Sequence, residues 1–314
     1  MSENRSFGFG FENGSAIALG TFDGVHIGHK RVLEAAASSA KKTVSVALTF
    51  SSSPKGAKML CSPQKKKQLI LETGIAAIFN LDFEYVKDIP PERFFEDILI
   101  ENFNAKQLVC GFNYRFGKNA SGDTALLERL CSEHGISLTV CKEISKDGDT
   151  VSSTRIRNLL ENGKICDASN LLGRDFSVCG TVQKGKALGR RLGFATANFV
   201  PDSKLVLPLS GVYATYVLIG DKSFPAVTNL GSQPTFGGRK TVCETHIIGF
   251  DGNLYDRTIE IYFLDRLRDI RNFKTAEALE KQVFSDMERS QRLFGAKSED
   301  DKKHQKSLYK SQAL

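Results

Sequence analysis

Residues Gly20–His29 read G-T-F-D-G-V-H-I-G-H and follow the short apolar run Ala16-Ile17-Ala18-Leu19. The next residues, Lys30 to Ala37, suit the first turns of a helix. The order is therefore strand, glycine-rich turn, helix. A helix start carries exposed N–H groups and favours an anion. His26 and His29 lie three residues apart, so the helix sets them near one another on one face. A polyphosphate bound there meets backbone donors and two imidazoles together. The chain has five histidines, and two of them share this turn with Gly20, Gly24 and Gly28, which makes a chance pair of surface histidines the poorer reading.

Further segments carry polar chemistry. Val151-Ser152-Ser153-Thr154-Arg155-Ile156-Arg157 is a good helix start, with Ser153 as the expected cap. Alone it reads equally as an ordinary capped helix; beside a phosphate, its hydroxyls, N–H groups and Arg157 would hold the end away from the histidines. The stretch Gly180–Asn198 reads G-T-V-Q-K-G-K-A-L-G-R-R-L-G-F-A-T-A-N. Its glycines allow backbone N–H groups close to a phosphate. It lacks the G-x-x-x-x-G-K-[ST] order of a Walker loop, and a flexible basic loop is the alternative. Glu244 falls on an expected strand, where a carboxylate is commonly just an exposed face residue.

These segments need elements to position them. The first half alternates strand and helix: strands over Thr43–Phe50, Ala76–Phe83, Gln107–Cys110 and Ser137–Cys141, with helices over Pro63–Thr73, Pro90–Phe103 and Ala125–His134. That order predicts an α/β domain with a parallel sheet, whose ligands bind past the carboxyl ends of the strands. After Leu172-Gly173-Arg174 the pattern changes to short β runs: Gly211–Ile219, Phe224–Leu230, Val242–Ile248 and Thr258–Phe263. A compact β-barrel follows from that spacing. A closing helix is expected from Thr275 to about Arg289, and residues 297–314 are polar, lysine-rich and expected to be disordered. The expected domains are thus 1–173, 174–296 and a tail.

At 314 residues two domains are the natural prior, and 41% hydrophobic with 25% charged residues is ordinary for a globular protein. No apolar run approaches the roughly 20 residues of a membrane span, and no signal peptide is evident, so the cytoplasm is the expected location. Seven scattered cysteines without C-x-x-C spacing argue against a disulfide framework or zinc site. The net charge of +7 is partly in runs such as Lys65-Lys66-Lys67, read as solvated faces; without interleaved aromatics, neither nucleic acid nor membrane is expected as a partner.

The turn resembles the H-x-G-H turn of nucleotidylyltransferases, and its G-x-F-D-G-V-H-x-G-H wording resembles the adenylyltransferase half of bacterial bifunctional riboflavin kinase/FAD synthetases. The S-S-T-R-I-R run and the loop Gly111–Gly117 are similar to segments of that half. The Gly180–Asn198 stretch resembles the G-x-x-x-G-R-x-L-G-F-P-T-A-N segment of riboflavin kinases, followed in family order by Gly211-Val212-Tyr213-Ala214, Asn229–Gly238 and Glu244-Thr245-His246. The resemblance spans about Ser15 to Val283. It implies a Rossmann-like nucleotidylyltransferase domain followed by a riboflavin-kinase barrel, an enzyme making FMN from riboflavin and ATP and then FAD from FMN and ATP, and a need for Mg²⁺ in both halves.

The same resemblance implies roles. In the first half, His26, His29 and Arg157 would neutralise the leaving pyrophosphate; Gly20, Phe22, Asp23, Gly28, Ser152, Ser153 and Thr154 would bind ATP; Asn113, Phe116 and Asp123 would line the flavin. In the second, Glu244 would be the catalytic carboxylate, Gly185, Gly189, Gly193, Thr196 and Asn198 would bind ATP, Thr196 and Asn198 would hold the metal, and Arg268 would lie near the flavin. His246 is read as structural. Two departures stand out. Ser51-Ser52-Ser53-Pro54 replaces an acidic residue and Pro-His-Pro, and Ala195 replaces a proline. The alternatives are a riboflavin kinase with an impaired adenylyltransferase half, or a non-catalytic flavin- or nucleotide-binding regulator. Oligomeric state is not readable.

Overall fold

The computed structural model describes residues 11–51, 56–183, 196–235 and 238–311. The chain divides into two compact units, Met1–Arg155 and Ile156–Leu314.

The first unit is built on a parallel sheet of β1 (Ser15–Leu19), β2 (Val44–Phe50), β3 (Ala77–Leu81), β4 (Ala105–Gly111) and β5 (Ser137–Cys141), in the order β3-β2-β1-β4-β5. β1 is buried along its whole length, as a central parallel strand must be. Its side chains alternate between two core layers. Ile17 and Leu19 join Val46, Leu48 and Leu108 on one face. Ala18, with Ala47 and Val109, lies on the other face with Val32, Leu33 and Ala36 of α1 (Ile27–Ser39). Strand order reverses between β1 and β4, and there the carboxyl ends of a doubly wound sheet open a ligand crevice.

The remaining elements of this unit are α2 (Pro63–Leu71), the short α3 (Phe83–Val86), α4 (Pro91–Arg93), α5 (Thr124–Glu133) and the hairpin of β6 (Ser145–Lys146) and β7 (Asp149–Thr150). The helix opened by Pro90-Pro91 is not α-helical throughout. After α4 it is a π-helix over Phe94–Asn102, where Phe103 N–H donates to Ile98 O at 3.3 Å. Phe94, Phe95, Ile98 and Leu99 all enter one core layer, and the wider turn keeps the four on the same side.

Two helices follow in the chain, α6 (Ser153–Glu161) and α7 (Ile165–Leu172). The composition shift at Gly173 marks where the β pattern starts, but the compact unit starts earlier, at Ile156. Leu209 N–H donates to Leu160 O, and α7 packs on the strands of the second unit, burying Ile165, Ala168, Leu171 and Leu172. The division into compact units falls at 155/156.

The second unit is an antiparallel sheet of β8 (Phe176–Thr181), β9 (Thr196–Phe199), β10 (Gly211–Ile219), β11 (Lys222–Thr235), β12 (Gly238–Ile247) and β13 (Thr258–Arg268), ordered β8-β13-β10-β11-β12-β9. It curls until its two edges meet: Gln183, just past β8, bridges Asn198 of β9, with Gln183 N–H donating to Asn198 O at 2.7 Å. The hydroxyls of Thr215, Thr228 and Thr245, all fully buried, form a ladder across β10, β11 and β12 with 2.9 Å steps. Each buried hydroxyl thus has a partner.

The last helix, α8 (Ala276–Ser311), packs on β10, β11 and β13, with Ala278 N–H capped by Thr275 Oγ1. It continues well past the expected end at Arg289. Residues 297–311, expected to be disordered, are helical. Lys, Gln, Glu and Ala are helix formers, and no Gly or Pro follows Gly295 to stop it.

Candidate active sites

In the first unit the Gly20–His29 turn follows the carboxyl end of β1. Its backbone is unusual: Phe22 (φ 47°), Gly24 (φ 74°) and Val25 (φ 41°) are left-handed. For Phe and Val this conformation is strained, and such strain gathers at ligand sites. Gly24 is needed twice over, since a Cβ there would also stand 2.7 Å from Leu60 Cδ1. Asp23 carboxylate accepts from Leu60 N–H at 2.9 Å, which ties the turn to the segment before α2. Asp23, expected at the nucleotide, therefore has a structural partner as well.

His26 occupies the N-cap of α1, where its Nδ1 accepts from His29 N–H at 3.3 Å. The two imidazoles stack with centroids 3.6 Å apart and planes at 17°. Gly28 leaves room for the His26 ring, which a Cβ would approach to 3.2 Å. Phe22 meets His29 edge-on at 5.5 Å. His29 Nδ1 is buried and has no hydrogen-bond partner. Burial first, then His26 and Lys66, hold His29 well below the usual histidine range, so it is a neutral imidazole.

The second motif closes on the first. Ser153 hydroxyl donates to Asp23 O at 3.0 Å across 130 positions of sequence. The cap of α6 is Ser152, whose Oγ accepts from Arg155 N–H at 3.2 Å. The expected cap, Ser153, is instead the first helical residue and serves as the link to the turn. Thr154 is exposed on this first turn, and Arg157 follows one turn later, beyond the division between the units.

The Gly111–Gly117 loop is mostly framework. Phe116 is buried in the core beside Phe94, with its backbone paired to Gly122 at 3.0 and 3.1 Å. Asp123 caps α5 through Leu126 N–H at 3.0 Å. Phe116 and Asp123 are thus occupied structurally, while Asn113 and Phe112 are exposed.

Lys66 was not singled out by its sequence. Its ammonium donates to Thr21 O (2.6 Å), Thr49 Oγ1 (2.8 Å) and Phe50 O (2.8 Å) at the carboxyl ends of β1 and β2. Burial lowers it to about 8, against opposing effects of Asp23 and Cys61. Ser52, Ser53 and Pro54 lie outside the described residues.

In the second unit, Thr196, Asn198 and Glu244 come together. Glu244 on β12 pairs with Asn198 on β9 and with Asn229 on β11, so three polar side chains form a row across neighbouring strands. Thr196 hydroxyl bonds to Glu244, and Asn198 Nδ2 donates to Thr196 Oγ1 at 3.2 Å. Burial raises Glu244 above its usual value and the Thr196 bond opposes that. Asn229 Oδ1 is buried without a hydrogen-bond partner, on the residue that pairs with Glu244 across the strands. Asn229 sits in a family-like segment, yet only the register reveals its place beside Glu244. His246 pairs with Thr196 and Val227. Gly185, Gly189, Gly193 and Ala195 lie outside the described residues.

Arg268, expected near the flavin, is engaged by α8. Its Nε and Nη2 donate to Asp286 Oδ2 at 3.0 and 2.8 Å, and Asp286 is 2% exposed. All seven cysteines are free thiols.

Comparisons with known proteins match each half of the chain to a family. The family described as FAD synthetase matches residues 10–155, and that described as riboflavin kinase matches residues 172–294. A bifunctional riboflavin kinase/FMN adenylyltransferase of Escherichia coli strain K12 is 30% identical over 295 residues, covering 90% of this chain and 94% of the relative. The chain belongs to the bifunctional riboflavin kinase/FMN adenylyltransferase family. The same-named protein of Haemophilus influenzae is 31% identical, covering 90% and 95%. A crystal structure described as a macrolide-efflux protein from Streptococcus pneumoniae is 28% identical with a TM-score of 0.82, covering 91% of this chain and 97% of that one. Among the described residues no helix is long and apolar enough to cross a membrane.

Proposed function

We propose that this chain phosphorylates riboflavin to FMN in its second unit and adenylylates FMN to FAD in its first, using ATP in each step. The observation that carries the reading is the row Thr196–Glu244–Asn198–Asn229, which sets one half-buried carboxylate among neutral donors.

In the kinase step the ribityl 5′-oxygen attacks the γ-phosphorus, its bond to phosphorus forms as the bond to ADP breaks, and Glu244 takes the hydroxyl proton. Thr196 Oγ1 and the Asn198 amide are oxygen donors beside that carboxylate, the hard set that Mg²⁺ accepts. The metal would neutralise phosphate charge. Gly185, Gly189 and Gly193 belong to the ATP loop and Arg268 borders the flavin side in this reading.

In the adenylyl step an FMN phosphate oxygen attacks the α-phosphorus and pyrophosphate leaves. No proton has to move, so the work is positioning and neutralisation. Gly20, Phe22, Asp23 and Gly28 shape the turn around ATP; Ser152, Ser153 and Thr154 present the start of α6; His26, His29 and Arg157 meet the leaving group. Asn113 contacts the flavin, with Phe116 and Asp123 holding its loop. The partners are small molecules rather than nucleic acid or membrane, and we assign the reaction to the cytoplasm, where ATP and Mg²⁺ are available.

The test is chromatography of flavins made from riboflavin, excess ATP and Mg²⁺. FMN is expected first and FAD after it, with both abolished by EDTA. FMN that accumulates without FAD would contradict the adenylyltransferase half; unconverted riboflavin would contradict the whole.

A further inference from the structure

The run Lys65-Lys66-Lys67 behaves unequally. Lys66, one turn into α2, points inward and spends all three of its N–H donors on Thr21 O, Thr49 Oγ1 and Phe50 O. Thr49 Oγ1 also donates to Thr21 O at 2.8 Å. A single ammonium thus joins the end of β2 to the second residue of the turn that carries the histidines. No carboxylate or histidine follows β2 at 51–55, where the residues are Ser51, Ser52, Ser53, Pro54 and Lys55.

We propose that Lys66 is a positioning residue for adenylylation: it pins the Gly20–His29 turn through the Thr21 carbonyl and fixes one positive charge beside the histidine pair. This rests on the reading of that turn as the ATP site. Two stacked imidazoles 3.6 Å apart cannot both be cationic beside an ammonium without strong repulsion. With His29 neutral, its ring gives one N–H and the positive charge of the site stays on Lys66, where its position is fixed by three oxygens. Lowering by burial to about 8 accords with this lodged position, and the ammonium remains charged at neutral pH.

Among the described residues, these charged and titratable groups act on the pair. His26 and Lys66 act on His29, and Asp23 and Cys61 act on Lys66. β1, β2 and β3 contain no titratable side chain. On β4, Lys106 packs at Gly14, at the start of β1, and Cys110 belongs to the opposite core layer. α6 reaches the turn through the uncharged Ser153.

The test uses the full chain with K66Q, which keeps donors and drops charge, and K66R, which keeps charge. Histidine-selective NMR follows His29, identified by its loss in H29N. K66Q is expected to raise the His29 titration and the ATP KM for FMN adenylylation about tenfold. K66R should restore both, and riboflavin phosphorylation should stay constant as the control for folding. Wild type should lose ATP affinity in adenylylation above about pH 8, where Lys66 gives up its proton, and K66R should not. That last comparison decides the matter even where K66Q fails to fold. Equal losses in K66Q and K66R with an unmoved His29, or a flat wild-type profile, would overturn the proposal. Failure of the functional reading looks different: wild type would not adenylylate FMN, while the coupling of Lys66 to His29 could still be read.

Discussion

Glu244 is a carboxylate with amides on either side and one hydroxyl bonded to it. Its burial raises its pKa above the ordinary 4.5, and a general base works only when ionised. The acid limb of riboflavin phosphorylation should therefore lie above pH 4.5, and a pH–rate profile of kcat/KM would reveal it. E244Q should cost riboflavin phosphorylation about 10²–10⁴-fold. The sign for stability is opposite. The folded chain holds the Glu244 proton more tightly than the unfolded chain, so stability falls as pH rises through that window. E244Q removes this loss and should melt no lower than wild type at pH 7. H29A should lower FMN adenylylation about 10²–10³-fold, the usual effect of one lost transition-state donor. The histidine pair was legible from residue type and local spacing, whereas Glu244, Thr196 and Asn198 were named only through the resemblance to riboflavin kinases. Lys66 and Asn229 were not. Which lysine of three turns inward depends on the phase of α2 against β1 and β2, and Asn229 meets Glu244 only through strand register. The cap of α6 fell one residue away from expectation because either serine suits the N-cap chemistry.

At the scale of elements, most of the sheet strands and helices follow from hydrophobic period and turn residues. β10 matches its expected bounds of Gly211–Ile219, and β11 and β12 extend beyond theirs. Extension is set by ladder pairing from Ala226↔Ile247 to Thr235↔Gly238, which no single strand reveals. The π-helical stretch was not legible either, since Phe94, Phe95, Ile98 and Leu99 fit an α-helical stripe equally well. β13 and α8 are joined by Arg268 and Asp286, with side chains 18% and 2% exposed. R268A would leave the Asp286 charge buried and unpaired, at a cost of about 3–5 kcal/mol. Urea unfolding should show a lower midpoint; an unchanged midpoint would return Arg268 to a purely flavin-side role. In the first unit, G24A must place a Cβ at φ 74° and 2.7 Å from Leu60. The left-handed backbone alone costs about 1–2 kcal/mol. Adenylylation should suffer more than phosphorylation in that variant.

At the scale of the whole molecule, the chain forms two compact units, and a different family matches in each. The helix α7 shows how composition and packing can disagree: its sequence continues the first pattern, while its apolar face serves the second unit. The central claim is that two separable sites in one chain perform consecutive reactions. The most direct test compares flavin products of H29A and E244Q, each supplied with riboflavin or with FMN in the presence of ATP and Mg²⁺. H29A should convert riboflavin to FMN and stop, and E244Q should leave riboflavin unchanged yet convert supplied FMN to FAD. An E244Q protein unable to use FMN, or an H29A protein that still makes FAD at the wild-type rate, would contradict the account.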